Sequence, residues 1–255
     1  MSAPVLFGQI ALVTGATGGI GKAICRALAS HGSSIVIHYY SDEEEARSLA
    51  RELEAEYQGK LGINVLCARA DMGDYNEVRK LHAYLVENLG YPTIPINNAR
   101  TNGGYSGIVS IDQVHMEDFE RTWRINCGSA YLLTQLCMPA MESEGWGRII
   151  FISSVAGFTG GVVGPHYASS KSALHGLVHW LAQAYAKKGI TVNGVAPALI
   201  ERTKMLPGST KVLASKIPLG RLGAPEEVAE TVIWMVKTPY VTNKVIGVDG
   251  GMFPQ

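Results

Sequence analysis

Ile10-Ala11-Leu12-Val13-Thr14-Gly15-Ala16-Thr17-Gly18-Gly19-Ile20-Gly21 is the stretch on which the fold of this chain turns. Its first four residues form a short apolar run, the mark of a buried strand. The run passes straight into a turn with glycine at 15, 18, 19 and 21. Ile20, Ile24 and Leu28 then recur four apart, which predicts a helix that stops near His31-Gly32. Strand, glycine-rich turn and helix in this order predict a dinucleotide site. Glycine lets the backbone approach a pyrophosphate, and the helix N-terminus offers it free N–H groups. Thr14, Gly15, Thr17, Gly19, Ile20 and Gly21 are the candidate contacts. Any tight strand-to-helix turn can use glycine; the position in a first βα unit favours the binding reading.

The next strand, Ser34-Ile35-Val36-Ile37, leads to His38-Tyr39-Tyr40-Ser41, all four candidate cofactor contacts. An acid here would bond the ribose hydroxyls of NAD and repel a 2′-phosphate. Its absence favours NADP(H), with NAD(H) not excluded, because no arginine or lysine stands there and Gly18 occupies a place where a base would help. Ser41-Asp42-Glu43-Glu44-Glu45 reads as a capped helix start whose acids complement the helix dipole. Ile63 to Ala68 is a third strand, ending before Asp71 and Met72, both candidate cofactor contacts. Asp71 reads equally as an adenine contact and as the cap of the helix carrying Val78, Leu81 and Leu85.

Thr93-Ile94-Pro95-Ile96 is a fourth strand, with Pro95 unusual in a central position. Asn97-Asn98-Ala99-Arg100 follows, where amides can knit loops together and small residues admit a cofactor. A long helix is predicted over roughly Glu117 to Met141, with Asn126, a poor helix former, in its middle. Ile149 to Ile152 forms a fifth strand closed by Ser153-Ser154, and a glycine-rich loop from Val155 to Pro165 enters the helix that carries Tyr167-Ala168-Ser169-Ser170-Lys171. Thr191 to Val195 is a sixth strand, followed by Pro197, Ala198, Leu199 and Ile200. The mixed apolar stretch from Glu201 to Gly223 reads as a substrate lid, a helix begins at Pro225, and Val245 to Val248 is the last strand. Strands alternating with helices predict an α/β fold: a doubly wound parallel sheet in three layers, with residues 1–255 as one domain.

Tyr167 and Lys171, four apart, share one helix face. An ammonium beside a phenol favours the phenolate, and such a phenol exchanges a proton with an alcohol or ketone. Ser154, at a strand end, can donate a hydrogen bond to an oxygen where charge develops. The same spacing also arises by chance. His175 and His179 are four apart too, but no acidic third ligand accompanies them, and no metal is expected.

The chain has 255 residues, 47% of them hydrophobic, which suffices for one large core. Charged residues are only 17% and the formal net charge is +0, so no basic field draws nucleic acid or an anionic membrane. Near-neutrality with this much apolar surface favours an oligomer. No run approaches a membrane span, and Met1 to Phe7 is too short for a signal peptide. Cys25, Cys67, Cys127 and Cys137 are widely spaced, which fits a reducing compartment and a cytoplasmic location.

Taken together, Thr14-Gly15-x-x-x-Gly19-x-Gly21, Asn97-Asn98-Ala99, Asn126, Ser154 and Tyr167-x-x-x-Lys171 resemble the short-chain dehydrogenase/reductase family over nearly the whole chain. The chain is most similar to its 3-oxoacyl-(acyl-carrier-protein) reductase and carbonyl reductase branch. The resemblance implies hydride transfer between NADP(H) and a ketone or secondary alcohol by an Asn-Ser-Tyr-Lys tetrad. Tyr167 would pass the proton, Lys171 would lower its pKa and hold the nicotinamide ribose, and Ser154 would polarise the carbonyl. Asn126 would hold a water linking Lys171 to solvent, and Thr203 would contact the nicotinamide amide. Asn98, Ala99, Arg100, Pro197, Leu199 and Ile200 complete the implied cofactor site. The expected substrate is a small ketone, alcohol or acyl thioester, in a pocket drawing on Val155, Phe158, Val162, Leu199 and Met205, and the expected assembly is a homotetramer. Arg100 and Ala198 stand where the family usually has glycine, and the gap from Pro197 to Thr203 is one residue longer than common. Two other readings are a cofactor-binding sensor or scaffold with little turnover, and a cofactor-free dehalogenase or lyase; the intact tetrad counts against the first and the intact glycine turn against the second.

Overall fold

The computed structural model describes residues 5–203 and 210–254. Seven parallel strands form one sheet in the order β3-β2-β1-β4-β5-β6-β7: β1 Ile10–Val13, β2 Ser34–Tyr39, β3 Val65–Arg69, β4 Ile94–Asn97, β5 Gly147–Ile152, β6 Ile190–Pro197 and β7 Lys244–Val248. The order reverses between β1 and β4, which opens a crevice at the C-terminal ends of those strands. The helices are α1 Gly19–Ser30, α2 Glu43–Leu53, α3 Gly59–Leu61, α4 Tyr75–Asn88, α5 Met116–Trp123, α6 Ser129–Glu144, α7 Ala156–Thr159, α8 Pro165–Tyr185, α9 Thr210–Ala214 and α10 Pro225–Lys237.

Strand alternation sorts the core into two layers. Ala11, Val13, Ile35 and Ile37 face α1, α2 and α10, while Leu12 and Val36 face α4, α6 and α8. Both faces of the sheet are therefore dry, which explains why these strands read as continuous apolar runs.

Two local features depart from the sequence expectation, and a third, unusual one agrees with it. The third strand begins at Val65, not Ile63. The predicted long helix is two helices, α5 and α6, joined by a π-helical turn at Arg124–Gly128. Pro95 does sit in central β4, paired with Leu12; it cannot donate to the ladder, and the bonds on either side hold the strand, Thr93 N–H to the Ile10 carbonyl at 3.0 Å and Thr14 N–H to the Ile96 carbonyl at 3.1 Å.

Candidate active site

The glycine turn is built from behind. Gly15 has φ +62°, and a Cβ there would lie 3.0 Å from Ala99 Cα. A Cβ on Gly21 would lie 2.6 Å from the Gly15 carbonyl oxygen and 2.7 Å from Ala16 Cα, so a side chain there would force the turn open. The Thr14 hydroxyl donates to the Ile96 carbonyl and accepts the N–H groups of Asn98 and Ala99, both at 2.9 Å. The Asn98 amide donates to the carbonyls of Thr14 and Gly15 at 2.8 and 3.1 Å. The ends of β1 and β4 are thereby laced across the crevice. The N-cap of α1, Gly18, places no capping side chain over the first turn, so its N–H groups face a cleft of about 250 Å³ lined by Gly15, Gly19, Gly21, Ala99, Arg100 and Thr203. This cradle fits a dinucleotide pyrophosphate.

His38 takes part from an unexpected side. Its ring is buried, Nδ1 accepts the Gly15 N–H at 3.0 Å, and Nε2 faces the Ala70 carbonyl at 3.1 Å. A backbone N–H can only donate, so the proton sits on Nε2 and both ring nitrogens are used. His38 thus braces the turn and has no ring nitrogen left for a cofactor. Burial drives its pKa down to about 4. The Tyr39 side chain is likewise in the core, as is that of Met72. Tyr40 is exposed, with the Arg69 guanidinium 5.7 Å from its ring centre. Asp71 does not cap α4: Asp74 does, accepting the Asn76 N–H, while Asp71 accepts the Gly73 N–H at 2.7 Å and lies 3.4 Å from Arg121. Beside the turn, Thr17 and Ser41 line a hollow shared with Lys22 and the acids Asp42, Glu43, Glu44 and Glu45; Lys22 is held by Glu45 at 2.6 Å.

A second cavity of about 440 Å³ adjoins the cleft, and Ile20, Arg100 and Thr203 line both. Ser154 and Tyr167 line it together, with Val155, Val162, Pro197, Leu199 and Ile200. Pro165 opens α8, so Tyr167 lies in its first turn and Lys171 one turn deeper. Lys171 is 1% exposed; its Nζ donates to the Ile152 carbonyl at 2.8 Å and lies 5.9 Å from the Tyr167 ring centre. Burial, then the Arg100 charge, brings its pKa down to about 7. Ser154 Oγ accepts the Ala156 N–H at 3.2 Å. Asn126 lies in the π turn, buried, a place where such turns often mark function. Its Oδ1 accepts the Thr101 N–H at 2.7 Å, and its Nδ2 donates to the Thr101 carbonyl at 2.9 Å and Ser170 Oγ at 3.0 Å. It therefore ties the loop after β4 to α8.

Phe158 does not line the cavity: its ring lies between those of His175 and Phe253, at 4.4 and 5.3 Å. Met205 lies outside the described residues. Leu213 and Lys216, from the stretch read as a lid, line the cavity, as do Asn102, Ser106 and Met252, which were not expected there. Nothing local in the sequence marks them; only the fold brings the C-terminus to this edge. His175 meets Ser153 Oγ at 2.8 Å and His179 meets Asn243 Oδ1 at 2.6 Å, and no metal-binding cluster occurs among the described residues. Ala198 is free of positive φ, so it needs no glycine.

The family profile described as short chain dehydrogenase matches residues 9–212. The chain is 36% identical to the 3-oxoacyl-(acyl-carrier-protein) reductase FabG of Aquifex aeolicus, covering 97% of this chain and 98% of the relative. It is 31% identical to an L-rhamnose 1-dehydrogenase (NAD(P)(+)) of a Sphingomonas species, over 98% of each chain. It is also 31% identical to an L-rhamnose 1-dehydrogenase (NADP(+)) of Thermoplasma acidophilum, over 96% of each. With the crevice at the strand-order reversal and the glycine cradle inside it, these likenesses make the chain a member of the short-chain dehydrogenase/reductase family, an NAD(P)-dependent oxidoreductase acting between CH–OH and C=O groups.

Proposed function

We propose that the chain reduces a small ketone, or oxidises the matching secondary alcohol, with Tyr167, Ser154, Lys171 and Asn126 as its working residues. One observation carries this reading: the Ser154 and Tyr167 side chains line one cavity, which opens onto the glycine cleft and has the Lys171 amine beneath it. In reduction, the Ser154 hydroxyl donates a hydrogen bond to the substrate carbonyl oxygen, and the Tyr167 hydroxyl gives that oxygen its proton. The nicotinamide, when bound, supplies the hydride. Lys171 provides positive charge behind Tyr167 and a group for the ribose hydroxyls. Both N–H bonds of the Asn126 amide are taken up by protein partners, so only its Oδ1 has capacity left for a water on the way to Lys171. The glycine turn, Asn98, Ala99 and Thr203 hold the cofactor. The stretch from Ile200 to Gly223 acts as a lid, of which residues 204–209 lie outside the described part.

For the cofactor, the missing acid at the end of β2 supports NADP(H). A second reading, NAD(H), is favoured by the hollow beside Thr17, where four acids gather and the lining cation Lys22 is already paired. The related rhamnose dehydrogenases carry both NAD(P)(+) and NADP(+) in their names. Four free cysteines fit a cytoplasmic setting. The test follows loss of reduced-cofactor absorbance with NADPH and NADH separately, over a panel of ketones. Turnover should fall at least ~100-fold in Tyr167→Phe, with cofactor still bound. Cofactor binding without reduction of any ketone would favour a sensor instead. Faster turnover with NADH than with NADPH would decide for the second cofactor reading.

A further inference from the structure

Arg100 stands at the junction of the cofactor cleft and the cavity over Ser154 and Tyr167. It follows the end of β4 by three residues, so the backbone delivers it to the ligand edge of the sheet. Its side chain is half-buried, and among the described residues no carboxylate lies within ion-pair distance of it. Arg26, Arg47, Arg69, Arg121 and Arg221 each have a carboxylate partner. Among the same described residues Arg79, Arg124 and Arg148 also lack a carboxylate, but Arg79 and Arg148 donate to backbone carbonyls and Arg124 lies over the Tyr75 ring, whereas Arg100 instead lines the two cavities. A second cation, Lys216, lines the same cavity, whereas among the described residues no aspartate or glutamate does. The Lys171 amine below adds a third basic group, close enough that Arg100 lowers its proton affinity. Arg100 is only half-buried and Lys216 is exposed, so what they offer an entering anion is charge-assisted hydrogen bonding at Arg100 and a favourable field from Lys216.

We propose that the substrate is an oxo acid, a ketone that carries its own carboxylate, with Arg100 holding that carboxylate and Lys216 adding to the attraction. This rests on the reductase reading above and names the substrate class of the same site. The cofactor pyrophosphate is the other anion near Arg100. The glycine turn and the open first turn of α1 already face it, and Lys216 lines the substrate cavity but not the cofactor cleft. The cavity, about 440 Å³, accommodates a short-chain acid. In the reaction, hydride adds to the carbonyl carbon, the C=O π pair takes the Tyr167 proton, NAD(P)H becomes NAD(P)+, and the carboxylate leaves unchanged as part of a hydroxy acid.

The experiment compares kcat/KM for 2-, 3- and 4-oxo acids of four to five carbons with their methyl esters, in wild type, Arg100→Ala, Arg100→Lys and Lys216→Ala. Wild type should favour the acid over its ester by at least ~10-fold for at least one chain length. That ratio should fall to near unity in Arg100→Ala, recover in part in Arg100→Lys, and fall by a smaller factor in Lys216→Ala. Binding of reduced cofactor is read in parallel by fluorescence. Esters reduced as well as acids by wild type would overturn the proposal and leave the reductase reading standing. Equal loss on acids and esters in Arg100→Ala, together with weakened cofactor binding, would assign Arg100 to the pyrophosphate and likewise overturn it. Cofactor binding with no reduction of any acid, ester or neutral ketone would overturn the reductase reading and the proposal with it.

Discussion

His38 shows how one side chain can serve a binding turn without touching its ligand. The buried ring is held neutral, with its pKa near 4, whereas an unfolded chain protonates it near 6.5. Between these values protons bind the unfolded chain and not the folded one, so stability falls as the pH drops through this window. The full difference, reached below about pH 4, is on the order of 3 kcal/mol. His38→Asn keeps an acceptor and a donor but does not titrate. Urea denaturation across the window should show wild type losing more stability on acidification than the variant. Equal slopes would mean that the imidazole is not held neutral by the fold. From sequence, His38 was legible only as a residue at a strand end, the place where cofactor contacts gather. That its ring turns inward depends on the Gly15 N–H and the Ala70 carbonyl, from two other segments, and no local pattern encodes both.

Among the elements, the π-helical turn between α5 and α6 is the clearest case of structure hidden from periodicity. Apolar spacing near 3.6 fits two helices in line as well as one, so the stretch from Glu117 to Met141 reads as a single helix. One extra residue in the turn leaves that pattern almost intact. The asparagine itself was the signal, as a poor helix former in mid-helix. Its three hydrogen bonds link the π turn, the Thr101 loop and α8. Asn126→Ala should destabilise the protein by about 1–3 kcal/mol, because it leaves the Thr101 N–H and carbonyl without their partner. Chemical denaturation measures the loss, and amide exchange should quicken at Thr101. A variant as stable as wild type would limit Asn126 to a role in the reaction. Strands β1, β2 and β5 were legible because sheets dry on both faces demand continuous apolar runs. The cavity wall was less so: Val155 and Leu199 follow strand ends and could be anticipated, Val162 comes from the loop after α7, and Phe158 turns away to stack with Phe253 from the far end of the chain.

The whole molecule leaves apolar surface on its helical layer. Phe119, Trp123, Tyr131 and Leu177 line an open groove formed by α5, α6 and α8, and Tyr131 and Trp180 are exposed. We propose that this face is covered in the homotetramer that the family resemblance implies, with these helices pairing against their symmetry mates. Light scattering should report the mass of four chains, and Tyr131→Glu should shift it to smaller species. A wild-type monomer at working concentration would refute the assembly. The strand order carries a different consequence, for a chain emerging from the ribosome. β1 is made first yet pairs with β2 on one side and β4 on the other. Once β2 and β3 have docked, the free edge of β1 must wait while the chain from α4 to β4 is made. When β4 arrives, Pro95 brings it one donor short. An unpaired, apolar central strand is the surface on which nascent chains misassociate. The half-sheet of β1, β2 and β3 is thus the species that a molecular chaperone would meet during synthesis.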